Sequence, residues 1–147
     1  AVLVLGGSTG CGAVGIQIAK ALGAATVCTT ASAPTHSIIR ELGADEIVDY
    51  RAVDWQDALQ GRKFDVVYDC VGGRSSWVAA KTRGVLADKG RYITIVGDTE
   101  SRVGEPITPA RSLSTIMRLL GRTLRGAVTG QKYNILFKQP SSECLEV

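Results

Sequence analysis

The most constraining feature is the passage Leu5-Gly6-Gly7-Ser8-Thr9-Gly10-Cys11-Gly12-Ala13-Val14-Gly15. An apolar run, Val2–Leu5, enters it and a helical pattern, Gly12–Leu22, leaves it. Ile16 and Ala19 share one face of that pattern, and Gly23 stands where a C-terminal cap belongs. A strand that turns tightly into a helix aims the first helical N–H groups at the mouth of the turn, which suits a phosphate. A literal GxGxxG lies at Gly10–Gly15, but it begins too late after Leu5. The better register is Gly7-Ser8-Thr9-Gly10-Cys11-Gly12, with Thr9 in the place of the middle glycine. Gly10 then supplies the permissive backbone, and Gly15 serves helix–strand packing. Taken alone, such a turn also occurs with no ligand.

The same order repeats along the chain. Strand-like runs are Ala25–Thr30, Glu46–Asp49, Phe64–Val71 (ended by Gly72-Gly73), Arg91–Val96 (ended by Gly97) and Thr123–Val128. Helical stretches are Thr35–Leu42 (closed by Gly43), Asp54–Gln60, Trp77–Leu86 (followed by a turn at Lys89-Gly90) and Leu113–Leu120. Residues 98–110 read as a loop. Strands alternating with helices predict βαβ units and a mainly parallel sheet covered on both faces. The fold class predicted is α/β, a doubly wound Rossmann sheet of about six strands in the order 3-2-1-4-5-6. Ligands on such a sheet bind beyond the carboxyl ends of the strands. Those ends are Gly6–Gly12, Thr30–Ser32, Asp49-Tyr50, Cys70–Gly73 and Val96–Asp98.

Composition removes other classes. With 147 residues there is room for one domain. Lys plus Arg is 17 against 14 Asp plus Glu, a net +3 too dispersed for a nucleic-acid surface. No apolar run approaches the roughly 18–20 residues of a membrane span. The basic stretch Arg111–Arg125 reads as a packed helix with a solvated face. The four cysteines (Cys11, Cys28, Cys70, Cys144) form no CxxC pair, and His36 is the sole histidine. That leaves no pattern for a metal site and favours free thiols in a reducing, intracellular compartment, cytoplasmic or mitochondrial. The opening on a strand and the close on a helix-like Cys144–Val147 read as a piece of a longer protein. On that reading residues 1–147 are a dinucleotide-binding domain without its N-terminal substrate domain and C-terminal end.

The end of the second strand decides between cofactors. An NAD site wants an acid about 20 residues past the turn for the ribose 2′-hydroxyl. Here the stretch is Cys28-Thr29-Thr30-Ala31-Ser32-Ala33, and the next carboxylate is Glu41. A hydroxyl-rich corner accepts a 2′-phosphate, and His36 or Arg40 can add positive charge. NADPH is therefore favoured over NADH.

Several longer stretches now stand together: Gly6–Gly12, Gln17–Ala24, Leu42–Tyr50, Phe64–Gly73 and Gly90–Gly97. In order and spacing they resemble the nucleotide-binding domain of the medium-chain dehydrogenase/reductase superfamily, in its zinc-free quinone oxidoreductase and enoyl reductase branch. The tail Tyr133 to Pro140 is similar to the reticulon-4-interacting-protein type of that branch. The resemblance implies that Ser8, Gly10 and Cys11 line the pyrophosphate. It puts Thr30, Ser32 and Tyr50 around the 2′-phosphate, Cys70 and Val71 at the nicotinamide ribose, and Ile95, Val96 and Gly97 beside the nicotinamide. Two positions depart from the pattern: Thr9, often glycine, and Thr35, where some relatives carry a lysine for the 2′-phosphate. The resemblance also implies a homodimer through the edge strand Thr123 to Val128, and a substrate pocket supplied mostly by a domain preceding this one. It assigns no catalytic side chain and no zinc ligand here.

The function so implied is an NADPH-dependent transfer of hydride to a small molecule, a quinone or an activated enone or enoyl substrate. The alternative is a non-catalytic NADPH-binding or partner-binding module on the same fold. A short-chain dehydrogenase would need Tyr-x-x-x-Lys, which follows none of the four tyrosines. A methyltransferase would want an acid after the second strand. Cys11 reads as a packing residue before a redox one, Cys70 as a neighbour of the ligand, Tyr68 and Tyr92 as core, and His36 as a solvated helix residue.

Overall fold

The first strands form where apolar and β-branched stretches find cover on both faces of a parallel sheet. In a computed structural model that describes residues 1–96 and 130–136, the strands are β1 (Val2–Leu5), β2 (Val27–Ala31), β3 (Glu46–Asp49), β4 (Phe64–Asp69), β5 (Leu86–Thr94) and β6 (Lys132–Ile135). They form one parallel sheet in the order β3-β2-β1-β4-β5-β6, as the sequence predicts. The helices are α1 (Gly10–Ala21), α2 (His36–Glu41), α3 (Trp55–Ala58) and α4 (Arg74–Thr82), with a 3-10 turn at Ala33–Thr35 before α2. Among the described residues no helix is long and apolar enough to cross a membrane.

The alternation of side chains along β1 splits the core into two layers. Val4 joins Ile16, Ala19, Val27, Ala31 and Ile39 under α1 and α2. Leu3 and Leu5 join Cys28, Phe64, Val67, Trp77, Leu86 and Tyr92 on the other face. Cutting a fully buried Leu or Ile of either layer to Ala costs about 2–5 kcal/mol.

Local chemistry moves several boundaries from those the sequence suggests. The Thr9 side chain caps α1, so the helix opens at Gly10 instead of Gly12. Asp54 caps α3 in the same way and stands outside it. β4 stops at Asp69 because that carboxylate takes the next N–H groups, leaving Cys70 and Val71 in the turn.

The largest correction concerns Trp77–Leu86. The helix runs Arg74–Thr82, Gly84 breaks it at φ +65°, and Val85 and Leu86 enter the core. β5 therefore starts at Leu86. Lys89-Gly90 falls inside it, where the pairing jumps from Phe64↔Leu86 to Val66↔Arg91 and the extra residues bulge out. The sixth place in the sheet belongs to Lys132–Ile135, paired to Arg91–Thr94. The expected loop 98–110, helix Leu113–Leu120, basic stretch Arg111–Arg125, strand Thr123–Val128, Gly97 and Cys144 lie outside the described residues.

Candidate functional site

The glycine turn sits between the carboxyl ends of β2 and β4. Its floor is pinned by β2: the Gly6 N–H donates to Thr30 Oγ1 at 2.8 Å, and the Gly7 N–H donates to the Thr30 carbonyl at 2.9 Å. Gly6 takes φ +84°, and its carbonyl accepts both the Thr9 N–H (3.0 Å) and the Thr9 hydroxyl (2.8 Å). Thr9 Oγ1 in turn accepts the Gly12 N–H at 3.0 Å, and the Thr9 carbonyl accepts that of Ala13 at 2.8 Å. Thr9 is thus the N-cap of α1, which accounts for its departure from glycine.

Two N–H groups of the first turn, those of Gly10 and Cys11, meet no acceptor among the described residues. The first turn also holds no acidic side chain. The glycines divide by what a Cβ would meet. At Gly7 it would lie 2.2 Å from Thr29 Oγ1, at Gly12 2.1 Å from the Gly6 carbonyl oxygen, and at Gly15 2.7 Å from the Tyr68 ring. At Gly10 it would meet nothing within 4 Å. Three glycines serve packing, and Gly10 borders open space beside two unused donors. That opening fits a pyrophosphate.

The second part of the site is the β2/β3 corner. Thr30 is only 4% exposed, and its hydroxyl supports the glycine turn. Ser32 is half-buried and makes no capping bond for the 3-10 turn. The register Ala31↔Asp49 sets Ser32 and the exposed Tyr50 at the same edge. Asp49 reaches this corner from β3, at a strand end that the sequence marks, but its carboxylate was not counted at the end of β2. Its carboxylate accepts the Ala33 N–H at 3.2 Å and the Arg51 N–H at 2.9 Å. With one backbone N–H on each oxygen it fastens the two loops together. His36 Nε2 lies 3.4 Å from the Ala31 carbonyl. Arg51, also missed, holds its guanidinium 6.0 Å from the centroid of the Tyr50 ring. The strand order 3-2-1 is the signal that could have found both, because it sets the end of β3 beside the end of β2.

The third part lies at the ends of β4, β5 and β6. Asp69 is 1% exposed. Its Oδ1 accepts the Val71 N–H (3.0 Å) and the Gly72 N–H (2.8 Å), and its Oδ2 accepts the Tyr92 hydroxyl at 2.5 Å. Burial first, then the Asp69 charge, hold the Tyr92 pKa well above the usual phenol range. Trp77 stands edge-on to Tyr92 and Tyr133, and those two tyrosines stack at 5.7 Å. Tyr92 is core, as read, and its hydroxyl also anchors the turn that carries Cys70 and Val71. Desolvation pushes the Cys70 thiol up to about 11, so it is a neutral neighbour and no nucleophile at pH 7. Val71 and Val96 stand exposed at the ends of β4 and β5, with Ile95 half-buried. Leu136, which sequence reading did not single out, is exposed beside them, and its N–H donates to the Thr94 carbonyl at 2.9 Å.

The structure therefore places Gly7, Ser8, Thr9, Gly10, Cys11, Gly12, Thr30, Ser32, Tyr50, Cys70, Val71, Ile95 and Val96 on one edge of the sheet. Among the described residues no three His, Cys, Asp or Glu side chains gather closely enough to hold a metal ion.

Comparison with known proteins agrees with this arrangement. The family described as zinc-binding dehydrogenase matches residues 10–139. The mitochondrial NAD(P)H oxidoreductase RTN4IP1 of Bos taurus is 30% identical over 146 residues, covering 99% of this chain and 36% of that protein. The chloroplastic NADPH-dependent alkenal/one oxidoreductase of Arabidopsis thaliana is 35% identical over 97 residues, 65% of this chain and 23% of that protein. The structure of the quinone oxidoreductase from Coxiella burnetii superposes with a TM-score of 0.62 at 27% identity, over 97% of this chain and 37% of the other. The chain thus spans little more than a third of these proteins at most.

Proposed function

The chain belongs to the zinc-binding dehydrogenase family, and we propose that it is the nucleotide-binding part of an NADPH-dependent oxidoreductase acting on a quinone or an activated enone or enoyl substrate. The observation that carries this reading is the cradle at Gly10: open space, two unused N–H donors and no acid in the first turn of α1. The described residues offer no ligand set for the family's zinc, and no step is assigned to a metal.

When bound, NADPH supplies the hydride; the protein supplies binding, orientation and exclusion of water. Ser8, Gly10 and Cys11 hold the pyrophosphate, with Gly7, Thr9 and Gly12 shaping the turn. Ser32 and Tyr50 flank the 2′-phosphate over the buried Thr30. Cys70 and Val71 border the ribose, and Ile95 and Val96 border the nicotinamide. Val71, Val96 and Leu136 give that end an apolar wall, which suits an uncharged ring.

The short span against the relatives supports reading 1–147 as the dinucleotide-binding domain of a longer enzyme, whose other domain completes the substrate pocket. The proposal includes a homodimer, through the sheet edge that Lys132–Ile135 occupies in place of residues 123–128. The mitochondrial name of one relative supports a mitochondrial place.

A fluorescence titration of this chain with NADPH and NADH tests the reading. Saturable binding, tighter for NADPH, supports it. Binding of neither nucleotide overturns it.

A further inference from the structure

We propose that Arg51 is the residue that selects NADPH over NADH, gripping the 2′-phosphate with a guanidinium laid on the Tyr50 ring. The inference rests on the nucleotide-binding reading above and deepens it.

Position comes first. The pairing Ala31↔Asp49 aligns the ends of β2 and β3, so the residues after them share one corner. The Asp49 carboxylate then takes one N–H from each loop, Ala33 and Arg51, and so fixes the Arg51 backbone against the Ser32 turn. The guanidinium lies over Tyr50, 6.0 Å from the ring centroid. A cation over an aromatic face is pre-oriented at modest cost, and its donors stay free to face outward.

Charge comes next. Among the described residues, Lys20, Arg62, Lys63 and Arg83 each pair with a carboxylate. Arg51 pairs with none. The other cations near β2 are poorer candidates. Arg40 stands in the last turn of α2, and the His36 ring faces the Ala31 carbonyl. Thr35 brings no charge. Asp49 and Asp54 are the nearby negative groups, and both accept backbone N–H groups, Asp54 that of Gln56. The corner therefore presents a guanidinium fork with no carboxylate partner among the described residues, on a backbone tied to the loop that follows Ser32. A phosphate dianion matches that fork with paired hydrogen bonds, and a 2′-hydroxyl does not.

The test compares Arg51→Gln and Arg51→Lys with the unaltered chain, titrating NADPH and NADH. Adenosine 2′,5′-bisphosphate and 5′-AMP serve as competing probes. Arg51→Gln is expected to weaken NADPH and the bisphosphate by roughly 10- to 100-fold and to leave NADH and 5′-AMP within about twofold. Arg51→Lys should fall between, because it keeps the charge and loses the fork. Unchanged NADPH affinity in Arg51→Gln, or equal loss of both nucleotides, overturns the role of Arg51 while cofactor binding stands. An unaltered chain that binds NADPH and NADH equally overturns it too. An unaltered chain that binds neither removes the cofactor reading itself.

Discussion

Gly10 and Gly12 lie two residues apart in one turn, and the structure assigns them opposite tasks. Gly10 has helical backbone, is absent from the positive-φ glycines, and has nothing within 4 Å of a built Cβ. Gly10→Ala should fold unharmed and gain up to about 1 kcal/mol, since alanine loses less backbone entropy in a helix. At Gly12 the new methyl would lie 2.1 Å from the Gly6 carbonyl oxygen. Backbone cannot swing aside as a side chain does, so the turn must open by roughly 1 Å to restore ordinary contact. Overpacking of this kind costs about 1–3 kcal/mol. At about 2–4 °C per kcal/mol for a chain of this size, Gly12→Ala should lower Tm by about 2–12 °C. Affinity should separate the two variants again. The Gly10 methyl enters the space assigned to the pyrophosphate and should weaken NADPH about tenfold or more, in a protein at least as stable as the parent. Thermal unfolding by circular dichroism, with NADPH titration of the same samples, reads both quantities. A Gly10→Ala protein that loses stability, or keeps full NADPH affinity, would refute this division of the glycines.

Other perturbations probe the remaining parts of the site. Ser32→Asp should weaken NADPH roughly tenfold by like-charge repulsion and affect NADH little, and parallel titrations check it. Tyr92→Phe removes one donor from the buried Asp69 and should cost about 1–3 kcal/mol, read as a lower urea midpoint at constant m. Burial raises the Cys28 thiol to about 12 in the fold. Its share of stability is therefore whole below the unfolded thiol value of about 9 and is lost as pH climbs from there towards 12. Stability curves of the parent and Cys28→Ala should converge over that window, and parallel curves would count against the assignment. The Asp45 carboxyl is held below the usual carboxylate range, first by its hydrogen bond from Lys20 and then by the Val27 N–H. Its stabilisation is present above the unfolded value of about 3.9 and fades as pH falls. Asp45→Asn should thus show a shallower acid limb in pH-dependent melting.

The order of the first five strands was legible because apolar and β-branched stretches alternate with helical ones, and a parallel order leaves few ways to join them. β6 was missed because Lys132-Tyr133-Asn134-Ile135 alternates polar and apolar residues. Boundaries failed where a side chain outranked the pattern. Thr9 started α1 two residues early by capping it, and Asp69 ended β4 early by taking the N–H groups that would have continued it. Val85 and Leu86 looked helical by spacing, but Gly84 turned the chain into the core and β5 opened at Leu86.

The candidate site divides along the same line. What lies on one stretch of chain, the glycine turn, could be read directly, including a packing role for Gly15, whose partner the structure shows to be Tyr68. What is assembled across strands could not. The acid-free end of β2 read as a corner without a carboxylate, yet Asp49 enters it from β3 and turns its charge to backbone. That distinction is chemical and not positional. A carboxylate that takes one N–H from each loop acts as a clasp between them, a role that the residue type alone does not announce. The proposed preference for NADPH rests on that clasp and on the Arg51 guanidinium over Tyr50, and neither is written in the order of residues along β2.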